Sequence, residues 1–108
     1  MHALQLSRFD LEVRPERARA VLVVSGELDL ATAPAVAQAI DELWELGWTE
    51  LAIDLAAVSF IDSTGLGTLL ALFARAESDG RRLTVGTTCP SLERLLTVSG
   101  LAHAVPRS

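Results

Sequence analysis

Three short apolar runs separated by stretches of helical period constrain this chain more than any other feature of its sequence. Ala20 to Ser25 (AVLVVS) is β-branched and nearly all apolar, the pattern of a strand covered on both faces. Leu51 to Leu55 (LAIDL) reads as a second strand, with Val58 to Ile61 extending or following it, and Arg82 to Val85 as a third. Between the first two runs, Ala33, Val36, Ala37, Ile40, Leu43 and Trp44 recur at helical spacing, while Gln38, Asp41, Glu42 and Glu45 fall on the other side. Leu66, Leu69, Leu70 and Phe73 share one face of a second helix that ends near Asp79–Gly80. Leu92, Leu95 and Leu96 mark a third helix, stopped at Gly100. Strands that alternate with helices need crossover connections, so the sheet contains parallel pairs.

The punctuation completes the outline. Leu4 to Val13 alternates roughly as a half-buried strand does, and the polar stretch Arg14 to Arg19, containing Pro15, reads as a turn, so the first two strands form a hairpin. Gly26 ends the AVLVVS strand. Thr32 N-caps the first helix, with Pro34 in its first turn, and Gly47 stops it. Ser63 or Thr64 opens the second helix and Ser91 caps the third. His103 to Val105 reads as a last short strand. Trp44 belongs to the core and Trp48 plugs a loop. The expected order is β-β-α-β-α-β-α-(β): an α/β fold in one domain over residues 1–108, with a mixed sheet of four to five strands, parallel crossovers, and three to four helices packed against it.

Composition narrows the function. At 108 residues, half of them hydrophobic but only 5% aromatic, one core built from Ala, Val, Leu and Ile is feasible. The net charge of -5 and the scattered arginines argue against nucleic acid as a partner, because such binders cluster their cations. Arg14, Arg17 and Arg19 are interrupted by Glu12 and Glu16, as in a solvated hairpin. No apolar run approaches the roughly 20 residues of a membrane span, and the first ten residues lack the layout of a signal peptide, so the expected compartment is the cytoplasm, without membrane insertion. The single cysteine, Cys89, cannot form an intramolecular disulfide and reads as a partly buried loop residue without a redox role. One Cys and two distant histidines, His2 and His103, supply no metal-ligand set. There is no G-x-S-x-G, P-loop or G-x-G-x-x-G. No catalytic residue, cofactor or metal is expected, and the protein is not expected to be an enzyme.

The segment Phe60 to Gly67, FIDSTGLG, carries the chemistry. It places two hydroxyls, Ser63 and Thr64, at a helix N-terminus, where exposed N–H groups and the helix dipole favour negative charge. A phosphate on Ser63 would sit in that field, opposed by Asp62. On composition and spacing alone Ser63 reads first as a plain N-cap serine; Thr64 or Asp62 can fill that role instead and leave Ser63 free. Gly65, Gly67, Thr68 and Ala71 are small and lie off the apolar stripe or at its margin. Glycine early in a helix costs about 1 kcal/mol relative to alanine. Either another protein's backbone approaches closely there, or the helix packs tightly on its own sheet, or the turn needs a positive φ.

FIDSTGLG resembles the signature of the STAS domain, and most closely that of bacterial anti-sigma factor antagonists: an apolar pair, Asp, Ser, Ser or Thr, Gly, an aliphatic residue, Gly. All eight positions fit. So do Ser25-Gly26-Glu27-Leu28-Asp29 followed by a helix at Thr32, the strand Ile53-Asp54-Leu55 before the serine motif, and the leucine-paired late helix ending in Gly100-Leu101. The resemblance implies that Ser63 is the phospho-acceptor, with Thr64 as second choice. It also implies that the unphosphorylated protein binds an anti-sigma factor serine kinase and frees the sigma factor, and that a serine phosphatase reverses the modification. Asp29 is similar to an acidic residue that supports kinase recognition. The implied partner-binding set is Glu27, Asp29, Asp62, Ser63, Thr64, Gly65, Gly67 and Thr68, in a protein that is monomeric when free. Related STAS proteins also serve as subunits of lipid-transport ABC assemblies or as stress-signalling scaffolds; these are the alternative readings.

Overall fold

A computed structural model of the protein describes residues 9–108. In chain order the elements are β1 (Asp10–Pro15), β2 (Ala20–Leu28), α1 (Ala33–Glu45), β3 (Glu50–Ile61), α2 (Ser63–Ser78), β4 (Arg82–Thr87), α3 (Pro90–Ser99) and a 3-10 turn at Ala102–Ala104. Residues 4–8 of the expected first strand lie outside the described residues. The sheet order is β1-β2-β3-β4; β1 pairs antiparallel with β2, and β2–β3 and β3–β4 are parallel. This is the mixed α/β sheet that the alternation of runs dictates.

Both parallel steps move across the sheet in one direction, so right-handed crossovers put α1 and α2 on the same face. There they lie side by side, joined by an ion pair between Arg75 and Asp41. Leu22 and Val24 of β2, Ile53 and Leu55 of β3, and Leu83 and Val85 of β4 form one core cluster with Val36 and Ile40 of α1, Leu69 and Phe73 of α2, and Leu92 and Leu96 of α3. Trp44 joins the same core, with the Arg81 guanidinium 5.2 Å from its ring centroid, and Trp48 packs partly buried at its margin.

Among the described residues, the other face of β2 is lined by side chains of its neighbours and not by a second layer of helices. Arg14 on β1 reaches across β2 to Asp54 on β3 at 3.2 Å. These two residues stand beside Val21 and Val23 respectively, so the arginine stem lies over both valines. Arg14 is thus part of the sheet and not of a turn; Arg19, which bonds Glu16 at 3.1 Å, closes the hairpin.

β3 is one strand of twelve residues, although its sequence looks like two pieces. Val23 pairs with Asp54 and Leu28 with Ile61, so five steps along β2 match seven along β3. Two β-bulges absorb the excess and turn Leu55, Val58 and Ile61 inward at every third residue instead of every second. At the first bulge the Asp54 carboxylate accepts the Ala56 N–H at 2.9 Å. Gly26 does not end β2. It adopts φ 93° at the second irregularity, and the strand continues to Leu28.

The chain end differs from expectation as well. His103 to Val105 is not a strand, because Ala102–Ala104 forms a 3-10 turn. Edge pairing comes two residues later: the Val85 N–H donates to the Pro106 carbonyl at 2.8 Å and the Ser108 N–H to that of Val85 at 3.1 Å. Arg107 is clamped there by Glu93 through two bonds of 2.9 and 3.2 Å, and Thr88 donates to the same carboxylate at 2.6 Å. Chiefly the Arg107 bonds, then that of Thr88, hold the Glu93 carboxyl below its ordinary range.

Candidate functional site

Because β2, β3 and β4 are parallel, their C-terminal ends share one edge, and α1, α2 and α3 all begin there. Open α/β sheets place their functional loops at such edges. Leu28 stands opposite Ile61, so the β2–α1 loop and the start of α2 are neighbours. The Asp62 N–H donates to the Leu28 carbonyl at 3.3 Å, tying the two together.

Asp62 settles which residue caps α2. Its backbone is extended and its carboxylate accepts the Gly65 N–H at 2.7 Å. Neither Ser63 nor Thr64 is needed as a cap; both side chains are exposed in the first turn. Ser63 therefore presents its Oγ to solvent at the positive end of a sixteen-residue helix.

The two glycines of the motif have different reasons. Gly65 is buried, and a Cβ on it would stand 2.4 Å from the Leu28 carbonyl oxygen. It serves the protein's own packing. Gly67 is exposed, with nothing within 4 Å of a built Cβ. With half-buried Thr68 and exposed Ala71 it leaves a low surface on the outer side of α2.

In the β2–α1 loop, Thr32 holds the N-cap position of α1, and Asp29 closes the turn before it. Its Oδ1 accepts the N–H groups of Ala31 at 3.0 Å and Thr32 at 3.2 Å. Thr32 makes no side-chain cap bond; its hydroxyl donates to the Glu27 carbonyl at 2.7 Å and accepts the Asp29 N–H at 3.0 Å. The carboxylate of Asp29 is thus spent partly on folding its own loop, half-buried beside the serine motif. Glu27 is half-buried at the end of β2, opposite Phe60.

Three residues of this edge escape a reading by motif. Ser91 is not the cap of α3. Cys89, buried at 2% exposure, holds the cap position, and Ser91 reaches back to β3, where its Oγ accepts the Ile61 N–H at 2.8 Å. No local pattern signals that bond, because its partners are thirty residues apart. Leu30 and Phe60 are large apolar side chains left 73% and 48% exposed. In the sequence they stand as apolar residues beside acidic ones, Asp29 and Asp62. No group of three or more His, Cys, Asp or Glu among the described residues can hold a metal ion. No helix there is long and apolar enough to cross a membrane.

The fold recurs in known proteins. The family model described as "Mlab, STAS domain" matches residues 11–106. The anti-sigma F factor antagonist of Paenibacillus polymyxa is 34% identical over 90% of this chain and 86% of its own. Among solved structures, an anti-sigma factor antagonist from Mycobacterium paratuberculosis superimposes with a TM-score of 0.75 and 30% identity, over 94% of this chain and 86% of that one. The Bacillus cell fate determinant SpoIIAA in its phosphorylated form shares the fold with a TM-score of 0.67 and 24% identity, over 94% of this chain and 91% of that one. With all but the extreme ends matched by the family model, and the sheet order and serine-motif edge in place, the chain belongs to the STAS domain family.

Proposed function

We propose that the protein is an anti-sigma factor antagonist switched by phosphorylation of Ser63. In its unmodified form the edge made by the β2–α1 loop and the first turns of α2 docks on an anti-sigma factor that is also a serine kinase, and the sigma factor is released. The kinase transfers the γ-phosphoryl of ATP to Ser63 Oγ; the hydroxyl proton leaves, the O–P bond forms and ADP departs. A serine phosphatase restores the hydroxyl. The protein works by binding, not by catalysing a reaction of its own, as a monomer in the cytoplasm.

The observation that carries this reading is the division of labour at the start of α2. Asp62 caps the helix, so Ser63 is free to be modified without unmaking the fold. A phosphate there adds about -1.5 to -2 charge units and meets the favourable end of the helix dipole. Within the isolated protein it is tolerated. Under a docked partner it must lose water beside Asp62, and an unpaired buried charge costs about 2–5 kcal/mol of binding. The names of the relatives support the partner class.

The test is incubation with candidate anti-sigma kinases and ATP, followed by intact-mass measurement and site mapping. One phosphate at Ser63, lost in Ser63→Ala, is expected. No phosphate with every cognate kinase overturns the reading and leaves a STAS subunit of a transport assembly as the better one; phosphate on Thr64 moves the site by one residue.

A further inference from the structure

We infer that Leu30 and Phe60 are the apolar anchors of the docking edge, and that the partner meets them with an apolar pocket rimmed by basic side chains. The inference rests on the proposed function for the partner's identity, but its residues come from the surface itself. Isolated exposed apolar side chains are ordinary on a protein surface. These two are distinguished by their place. Leu30 lies in the Asp29–Thr32 turn, whose bonds are made by Asp29, Ala31, Thr32, Ala33 and Glu27; at 73% exposure Leu30 contributes little to the core or to the turn. Phe60 is the last residue but one of β3, beyond the second bulge, and is 48% exposed, while its neighbours Val58 and Ile61 face the core.

Both residues stand close to Ser63. Phe60 is three residues away, at most about 11 Å of chain. Leu30 is two residues from Leu28, at most about 7 Å of chain, and the Leu28 carbonyl holds the Asp62 N–H at 3.3 Å. A standard interface covers about 800 Å² per partner, a disc of about 16 Å radius, so one partner covers the anchors and the serine together. The charge around them has one sign. Residues 27–32 and 60–68 contain Glu27, Asp29 and Asp62 and no Lys, Arg or His. Large apolar side chains beside acidic ones fit a partner whose apolar pocket is bordered by cations. The arrangement also gives phosphorylation of Ser63 its leverage, because a dianion close to both anchors keeps water where the anchors need it expelled.

The experiment measures affinity of the cognate anti-sigma factor for the full-length protein and for Leu30→Ser, Phe60→Ser, Ser63→Asp and Leu46→Ser. Leu46 is 76% exposed at the C-terminal end of α1, at the opposite edge of the sheet, and serves as the control. Thermal unfolding of each variant verifies its fold. Leu30→Ser and Phe60→Ser are expected to weaken binding at least tenfold each, with Leu46→Ser within twofold of the unmodified protein. Binding lost only in Ser63→Asp, with both anchor variants unchanged, overturns the anchors and leaves the proposed function standing. No binding by the unmodified protein to any cognate anti-sigma factor overturns both.

Discussion

Gly65 lies against the main chain of Leu28 so closely that a methyl group on it would stand 2.4 Å from the Leu28 carbonyl oxygen. That contact seats the first turn of α2 on the end of β2 and sets the height at which Ser63 meets solvent. Gly65→Ala must push the helix start away, as overpacked sites do, at about 1–3 kcal/mol. Gly67→Ala meets open space and gains up to about 1 kcal/mol of helix propensity. Urea denaturation of the two variants is expected to move in opposite directions.

Asp62→Ala removes the side-chain acceptor of the Gly65 N–H, a cap worth about 1 kcal/mol. Asp62→Ser or Asp62→Asn keeps an acceptor and is expected to recover most of it. Equal stability of the Ala and Asn variants in chemical denaturation would show that the bond carries no weight.

Ser91→Ala leaves the Ile61 N–H without its hydroxyl partner, a loss of about 1–3 kcal/mol for a buried donor. Faster amide exchange at Ile61 is the specific sign, and it distinguishes this effect from general fraying of α3.

Acid is expected to loosen the chain end. The Glu93 carboxyl is held below its ordinary value of 4.5, first by the Arg107 bonds and then by Thr88. A carboxyl depressed in the folded state contributes stability that is present above its unfolded pKa and lost as pH falls through the folded one. The clamp is therefore complete at neutral pH and weakens below about pH 4.5. Amide exchange at Ser108 followed from about pH 6 to about pH 3 measures it, and Arg107→Gln should flatten most of that dependence.

Ser63→Asp is expected to leave the fold intact. A negative charge in the first turn of a helix gains about 0.3–1 kcal/mol, offset by neighbouring Asp62. Circular dichroism unchanged and an unfolding free energy within about 1 kcal/mol of the unmodified protein would place the effect of the charge at the surface rather than in folding.

Much of the fold was legible because periodicity is a local property. Val36, Ile40 and Leu43 face the core because they recur at helical spacing. The strand–helix alternation dictates the parallel crossovers that bring Asp29 and Ser63 to one edge. β3 was harder to read: its two bulges change the inward period from two to three, and only pairing with β2 shows that LAIDL and VSFI are one strand. Local pattern does not fix the cap at the serine motif, since Asp62, Ser63 and Thr64 are all cap residues by type. The bond from Asp62 to the Gly65 N–H decides among them.

The sequence by itself determined the order of elements, the apolar faces and the motif that marks the edge, because each depends on residues within one or two turns of one another. Tertiary structure alone decided which glycine is buried, which serine is committed and which is free, and which apolar side chains stay outside. Gly65 is needed because the Leu28 carbonyl comes within reach, Ser91 is occupied because Ile61 lies across from it, and Ser63 is free because Asp62 caps in its place. The first two depend on segments thirty residues or more apart in sequence, and the third on a choice among equivalent cap residues that local pattern does not make.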